Sequence, residues 1–189
     1  MNLDHQPEHR HDRRFQGGPD RLRAAERVAL LEVEREVAAS LEGLTASTML
    51  DVGTGTGLFA EAFAALGLAV AGIDVNAELL AVARQHMPTA QLEEAPMEQL
   101  PFPARSFDLT FMGLVLHEAD DAVQALREAR RVTRQRVVVL EWPYREEPKG
   151  PPLAHRLQAE TIEEFAAQAG YRAVELIHLQ NMDLYRLAV

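Results

Sequence analysis

Gly53-Thr54-Gly55-Thr56-Gly57 stands between two apolar segments of different periodicity and constrains the fold more than any other part of the chain. Before it, Thr48-Met49-Leu50-Asp51-Val52 is the short, nearly unbroken apolar run of a buried strand. After it, residues 58–66 are apolar and alanine-rich and close at Gly67, the pattern of a packed helix. A loop this rich in glycine can turn sharply between strand and helix and bring its backbone close to a ligand. The helix start adds unpaired amides and the positive end of the helix dipole. Residues 68–73 form a second apolar strand ending at Asp74. A carboxylate at that tip can accept hydrogen bonds from both hydroxyls of a ribose.

The alternation continues to the end of the chain. Asn76 can cap a helix running to His86, stopped by Met87-Pro88, and a short strand is predicted near residues 90–92. Prolines 96, 101 and 103 make residues 93–105 irregular. Residues 107–112 read as a strand. Asp120 or Asp121 caps a helix carrying Val123, Leu126, Ala129 and Val132, and residues 136–141 hold the buried run Val137-Val138-Val139-Leu140. A Pro/Gly-rich loop over 143–158 follows, then a helix with a Thr161/Glu164 capping box ending at Gly170, then strands at 173–179 and 182–187. At the other end, Asp20 is the predicted cap of one amphipathic helix over 20–43, with Leu22, Ala29, Leu30, Val33, Val37 and Leu41 at helical spacing. Its charged face carries both signs and is expected to face water. The order predicts an α/β chain with a mainly parallel sheet and helices on both faces. The last two strands, with no helix between them, should be antiparallel neighbours at one edge.

Composition narrows the function. With 189 residues, 47% hydrophobic and 25% charged, the chain is expected to form one globular domain over residues 20–189. Residues 1–19 hold His5, His9 and His11 among Arg10, Arg13 and Arg14, with almost nothing apolar. They are expected to be a mobile tail, or a lid that folds over a ligand. Nothing there or elsewhere has a metal-ligand spacing, so no metal is expected. The absence of cysteine removes disulfides, thiolate sites and a cysteine nucleophile. A net charge of −10 argues against a nucleic-acid partner. The start lacks a secretory apolar run, and no stretch approaches the ~20 residues that span a bilayer. A cytoplasmic protein without a membrane partner is expected, and the first helix can pair across a two-fold axis in a homodimer.

The glycines read G-x-G-x-G with Leu58 next, whereas a dinucleotide fingerprint reads G-x-G-x-x-G. Asp51, immediately before the loop, suits a cationic amino group and not a pyrophosphate. A ligand with a ribose, an ammonium and a sulfonium fits better than a nicotinamide dinucleotide, and that ligand is S-adenosylmethionine.

With these residues in view, LDVGTGTGLFA (50–60), GIDVN (72–76), LPFPARSFDLTFMGLVLHEADD (100–121) and REARRV (127–132) resemble the successive motifs of class I S-adenosylmethionine-dependent methyltransferases, type 11. The resemblance covers about residues 45–142. It implies a Rossmann-like, seven-stranded, mainly parallel sheet with an antiparallel C-terminal hairpin, and in-line transfer of methyl to a small-molecule acceptor, leaving S-adenosylhomocysteine. It places Gly53, Thr54, Gly55 and Gly57 along the methionine part of the cofactor with Asp51 behind them, Asp74 on the ribose and Val75 against adenine. Pro96-Met97-Glu98 falls where the family often has Asp-Ala-Glu against adenine; with Pro96 in place of the acid, backbone amides or Glu98 would substitute. Met112 and Gly113 fall beside the methionine part and the methyl group. The family's Lys-Pro-Gly-Gly turn before the fifth strand is replaced by Thr133-Arg134-Gln135-Arg136, a shortened turn. An Asn/Asp-Pro-Pro-Tyr/Phe tetrad is absent, which disfavours methylation of nucleic-acid or amide nitrogens.

His117 follows the fourth strand, where it can act as the base that takes the acceptor's proton or simply pack beside the cofactor. Trp142 and Tyr144, after the fifth strand, can stack on an acceptor or plug the loop. Arg145, Lys149, His155 and Arg156 can present charge to an anionic acceptor or lie in water. A non-catalytic S-adenosylmethionine-binding regulator is the alternative from another class; a nicotinamide-dependent oxidoreductase and an RNA methylase are weaker ones.

Overall fold

The structure is a computed structural model that describes residues 15 and 17–189. Of the expected tail or lid at 1–19, residues 1–14 and 16, with all three histidines, lie outside the described residues. In chain order the elements are α1 (Pro19–Leu22), α2 (Ala25–Leu31), α3 (Val33–Leu41), β1 (Thr48–Val52), α4 (Leu58–Ala65), β2 (Ala69–Asp74), α5 (Ala77–His86), β3 (Gln91–Glu94), β4 (Phe107–Gly113), α6 (Ala122–Val132), β5 (Thr133–Glu141), α7 (Ala159–Gln168), β6 (Val174–His178) and β7 (Asp183–Ala188). One seven-stranded sheet orders them β3-β2-β1-β4-β5-β7-β6. Strands β1 to β5 pair parallel, and β7 runs antiparallel to both β5 and β6. The expected sheet and its closing hairpin are therefore present.

The central strands explain the order. Met49, Leu50, Leu109, Phe111, Val137, Val138, Val139 and Leu140 are wholly enclosed, as a parallel sheet covered on both faces requires. Alternation along each strand divides them. Leu50, Val52, Met112, Val137 and Val139 pack with Leu126, Ala129, Ile162 and Ala166 of α6 and α7. Met49, Leu109, Phe111, Val138 and Leu140 pack with Val37 of α3 and Phe59 and Phe63 of α4. The Phe111 ring lies 4.9 Å from Phe59 and 5.4 Å from Phe63.

Four local expectations are corrected. The single helix over 20–43 is three pieces, because Arg23-Ala24 leave helical geometry and Glu32 takes a left-handed φ of 43°. The freed Leu30 carbonyl accepts Asn181 Nδ2 at 3.0 Å, and Glu32 Oε2 accepts the same amide at 3.2 Å. The break lets Leu22 reach the glycine loop while Leu31 and Val37 enter the core; the apolar face is thus turned to the chain's own interior. Asp20 caps nothing; Gly18 is the cap, with Pro19 in the first helical turn. Thr161 and Glu164 form no capping box, because α7 begins at Ala159 with no side-chain cap. Thr133–Arg136 is not a turn. The polypeptide passes from Val132 straight into β5, Thr133 Oγ1 donates to Ala129 O at 2.6 Å, and a register shift between Phe107 and Leu109 absorbs the junction. Two expected caps form: Asn76 Oδ1 accepts the amides of Glu78 and Leu79, and Asp121, not Asp120, accepts that of Gln124. Among the described residues no helix is long and apolar enough to cross a membrane.

Candidate active site

The chain leaves β1 toward β2 and β3 on one side, and returns to β4 and β5 on the other. Such a reversal opens a crevice beyond the carboxyl ends of the strands. Here it is a cleft of about 890 Å³, walled by the glycine loop, the tips of β2 and β4, helices α1 and α2, and the loop after β5.

The floor is built from the glycine loop. Gly53, Gly55 and Gly57 have φ of 70°, 55° and 85°. At Gly53 a Cβ would also stand 2.5 Å from Val115 Cγ2, so no other residue fits that turn. Asp74 stands over the loop. Its Oδ2 accepts Gly55 N and its Oδ1 accepts Asn76 N, both at 2.8 Å, leaving the carboxylate on the cleft wall. Burial raises its pKa, against the pull of those backbone bonds. Val75 is 46% exposed beside it, an apolar face bare to the cleft. A recess of about 50 Å³ adjoins these residues and is lined also by Met97 and Glu98.

Several expected cofactor contacts lie elsewhere. Asp51 is buried beneath the loop and does not line the cleft; its Oδ2 accepts Thr54 Oγ1 at 2.7 Å. Burial pushes its pKa up to about 7, while the Thr54 bond pulls the other way. Asp51 thus shapes the loop through Thr54, which does reach the cleft. Pro96 is exposed and lines neither cavity. Glu98 Oε1 is occupied by the amides of Asp120 and Asp121, at 2.9 and 3.3 Å. Met112 is wholly enclosed, and Gly113 beside it faces the cleft.

On the opposite rim His117 lines the cleft from the 3-10 turn Leu116–Glu118, 5% exposed. Its Nδ1 lies 2.8 and 3.1 Å from the two oxygens of Glu141, and its backbone N donates to Glu141 Oε1 at 3.0 Å. A carboxylate only accepts, so Nδ1 carries the proton and neutral imidazole keeps its lone pair on Nε2. Nε2 stands 3.9 Å from Glu118 Oε1, which also accepts the Phe15 amide at 3.1 Å. Burial disfavours charge on His117, but the charge and hydrogen bond of Glu141, with Glu118, outweigh it and lift the pKa above 6.5. The sequence places Glu141 at the end of β5 but gives no sign of this pairing, since 24 positions separate the two residues.

The loop after β5 forms the last wall. Trp142 lines the cleft edge yet is 4% exposed, and the Arg156 guanidinium lies 5.5 Å over its ring. Arg156 is itself buried and donates to the carbonyls of Pro143, Arg145, Lys149 and Pro151. It is neither a solvated charge nor a contact for the acceptor; it is the clasp of the loop. Arg145 and Lys149 pair with Glu147 and Glu26 on the surface, while His155 lines the cleft. Tyr144 is 46% exposed and does not line the cleft. The amphipathic reading of the first helix missed that Arg21, Leu22, Arg27 and Leu31 line this space, as does Phe15.

A glycine loop below an acidic strand tip, at the reversal of a β3-β2-β1-β4-β5-β7-β6 sheet, defines the class I methyltransferase fold. Residues 50–140 match the family model described as a methyltransferase domain, type 11. The chain resembles the S-adenosylmethionine-dependent methyltransferases of that family in sequence and carries their fold. It is 37% identical over 95 residues to a demethylmenaquinone methyltransferase of Chlorobaculum tepidum, covering 50% of this chain and 39% of that protein. It is 34% identical over 116 residues to a malonyl-[acyl-carrier protein] O-methyltransferase of Serratia marcescens, covering 59% and 46%. The chain thus spans less than half the length of these curated relatives. In structure it resembles a SAM-dependent methyltransferase from Aquifex aeolicus, with a TM-score of 0.78, 22% identity, and coverage of 92% of this chain and 100% of that one.

Proposed function

We propose that the chain is an S-adenosylmethionine-dependent methyltransferase acting on a small molecule through a protonated oxygen or nitrogen. The observation that carries this is the pairing, across one cleft, of the Gly53–Asp74 cradle with the His117–Glu141 dyad. The cradle fits the cofactor: the left-handed turn of the glycine loop brings backbone to the cleft, Asp74 offers carboxylate acceptors on its wall for a ribose, and Val75 offers an apolar face for a base. When bound, S-adenosylmethionine supplies a methyl group that leaves sulfur as its bond to the acceptor forms, giving S-adenosylhomocysteine.

The protein's own work is alignment, proton removal and exclusion of water. Gly113 and the glycine loop set the floor, and Phe15 with α1 and α2 covers it. Neutral His117 takes the acceptor's proton on Nε2, and Glu141 holds the tautomer that makes this possible. Asp51 and Thr54 fix the loop without meeting the acceptor. On this reading residues 20–189 form one catalytic domain working in the cytoplasm, without a nucleic-acid partner.

The test is calorimetric titration with S-adenosylmethionine and S-adenosylhomocysteine, NADH as control, and an Asp74→Ala variant alongside. Micromolar binding of the first two, weakened at least about tenfold in the variant as for loss of charge-assisted hydrogen bonds, supports the reading. Binding without methyl transfer to any acceptor in a labelled-methyl screen would favour a regulatory protein, and NADH binding alone would overturn the cofactor.

A further inference from the structure

Helix α2 turns Arg27 and Leu31 to the cleft, one turn apart. Leu31 is enclosed in one apolar cluster with Leu114 and Trp142, and all three line the cleft. Helix α1, by contrast, sets Leu22 against Gly55, over the cofactor cradle. On the methyltransferase reading, Arg27, one turn before Leu31 on the cleft wall, falls to the acceptor side. It is partly buried, yet among the described residues its guanidinium donates no hydrogen bond and forms no ion pair. Three other arginines of the domain are spent on structure, Arg23 on the Thr56 carbonyl and Glu61, Arg131 on Glu128 and two carbonyls, and Arg156 on four, while Arg21 stands exposed on the same cleft. Desolvation lowers the Arg27 pKa, with Glu118 opposing and Arg21 adding to the effect. A partly desolvated fork of N–H donors facing an open cleft is a site for a planar anion that accepts two hydrogen bonds at once.

Resting on the methyltransferase reading above, we propose that Arg27 selects an acceptor that bears a carboxylate, held apart from the atom that is methylated. The His117–Glu141 dyad requires that atom to carry a proton, which a carboxylate at neutral pH lacks; the carboxylate is an anchor. Leu31, Leu114 and Trp142 take the hydrocarbon between the two ends. The substrate class is then a hydroxy- or amino-substituted organic acid. In the reaction its O–C or N–C bond forms as the S–C bond breaks, and the displaced proton passes to His117.

The test uses para-hydroxybenzoate, para-hydroxyphenylpropanoate and the neutral amide of each, titrated into the full chain with and without saturating S-adenosylhomocysteine. The expected result is that at least one acid binds about tenfold tighter than its amide, as for a gained charge-assisted pair. That ratio falls to near unity in Arg27→Gln and partly returns in Arg27→Lys, with S-adenosylhomocysteine affinity unchanged. Acids and amides binding alike to the unaltered protein, or a preference that survives Arg27→Gln, overturns the proposal. So does an Arg27→Gln variant that loses affinity for S-adenosylhomocysteine but not for methylthioadenosine, since Arg27 would then hold the cofactor's own carboxylate. Failure of the unaltered protein to bind S-adenosylhomocysteine overturns the methyltransferase reading separately, and the acid-to-amide ratio without it still decides for Arg27.

Discussion

Replacing Glu36 with glutamine should make the protein more stable at neutral pH. Glu36 lies on α3, its residue wholly enclosed, and neither carboxylate oxygen has a hydrogen-bond partner among the described residues. Burial, with the like charge of Glu32 and against the pull of Arg35, pushes its pKa from 4.5 up to about 8. In the folded chain the group holds its proton until pH passes about 8, whereas in the unfolded chain it ionises near 4.5. The folded state therefore binds more protons across that window, and stability is full below pH 4.5 and is lost as pH rises toward 8. At about 1.4 kcal/mol per pH unit from 4.5 upward, the loss accumulated by pH 7 is about 3–3.5 kcal/mol. Glutamine matches the protonated acid in shape and leaves a neutral group in the same enclosure, so it removes this loss and little else. For a domain of this size that gain raises Tm by roughly 6–14 °C. The assay is denaturant unfolding of both proteins from pH 4.5 to 8.5, read as the difference between them, so that other titrating groups cancel. The two curves should coincide near pH 4.5 and separate with rising pH. A constant difference, or a variant less stable at pH 8, would refute the reasoning and mean that Glu36 is ionised and solvated in the folded protein.

Two further predictions concern the cleft. Glu141 holds the His117 pKa above 6.5 against burial, so kcat/KM should rise with pH through an inflection above 6.5 as the base becomes neutral. In Glu141→Gln the opposing pull is gone, the inflection should fall below 6.5 and the plateau should drop by about ten- to a hundredfold; an inflection that stays in place would separate His117 from the proton transfer. Arg156→Met removes the donor of four loop carbonyls and should cost about 2–4 kcal/mol of stability, with limited proteolysis cutting within residues 143–156 and S-adenosylhomocysteine affinity little changed. An unchanged melting curve and cleavage pattern would show that the loop holds itself.

The half of the cleft built from the glycine loop and Asp74 could be read from the sequence because its determinants are local. A glycine loop and a strand-end aspartate sit at fixed places in a βαβ unit, and their neighbours in space are nearly neighbours in sequence. Even so, a single residue type does not fix which way a side chain points: Asp51 has the right spacing for the cleft yet turns inward to Thr54. The strand at residues 133–136 shows the same limit. Its polar side chains read as a turn, but the backbone pairs with β4, while Arg134 reaches Asp108 and Arg136 reaches the carbonyls of Ser40 and Glu42.

The opposite half of the cleft was illegible for a different reason: its walls are set by long-range contacts between short segments. The N-terminal pieces are fastened over the cleft by Arg23 on the Thr56 carbonyl and Glu61, and by Glu118 on the Phe15 amide. The opposite wall is fastened by Arg156. Neither arginine carries a periodic or motif signal, so one reads as surface charge and the other as a loop cation. Both in fact tether short segments, whose own backbone bonds are local, to carbonyls elsewhere along the chain. It follows that residues such as Arg27, borne on these fastened walls, can change without disturbing the sheet or the cradle. On the proposed function, specificity for an acceptor can therefore vary while the glycine-loop half of the cleft stays the same.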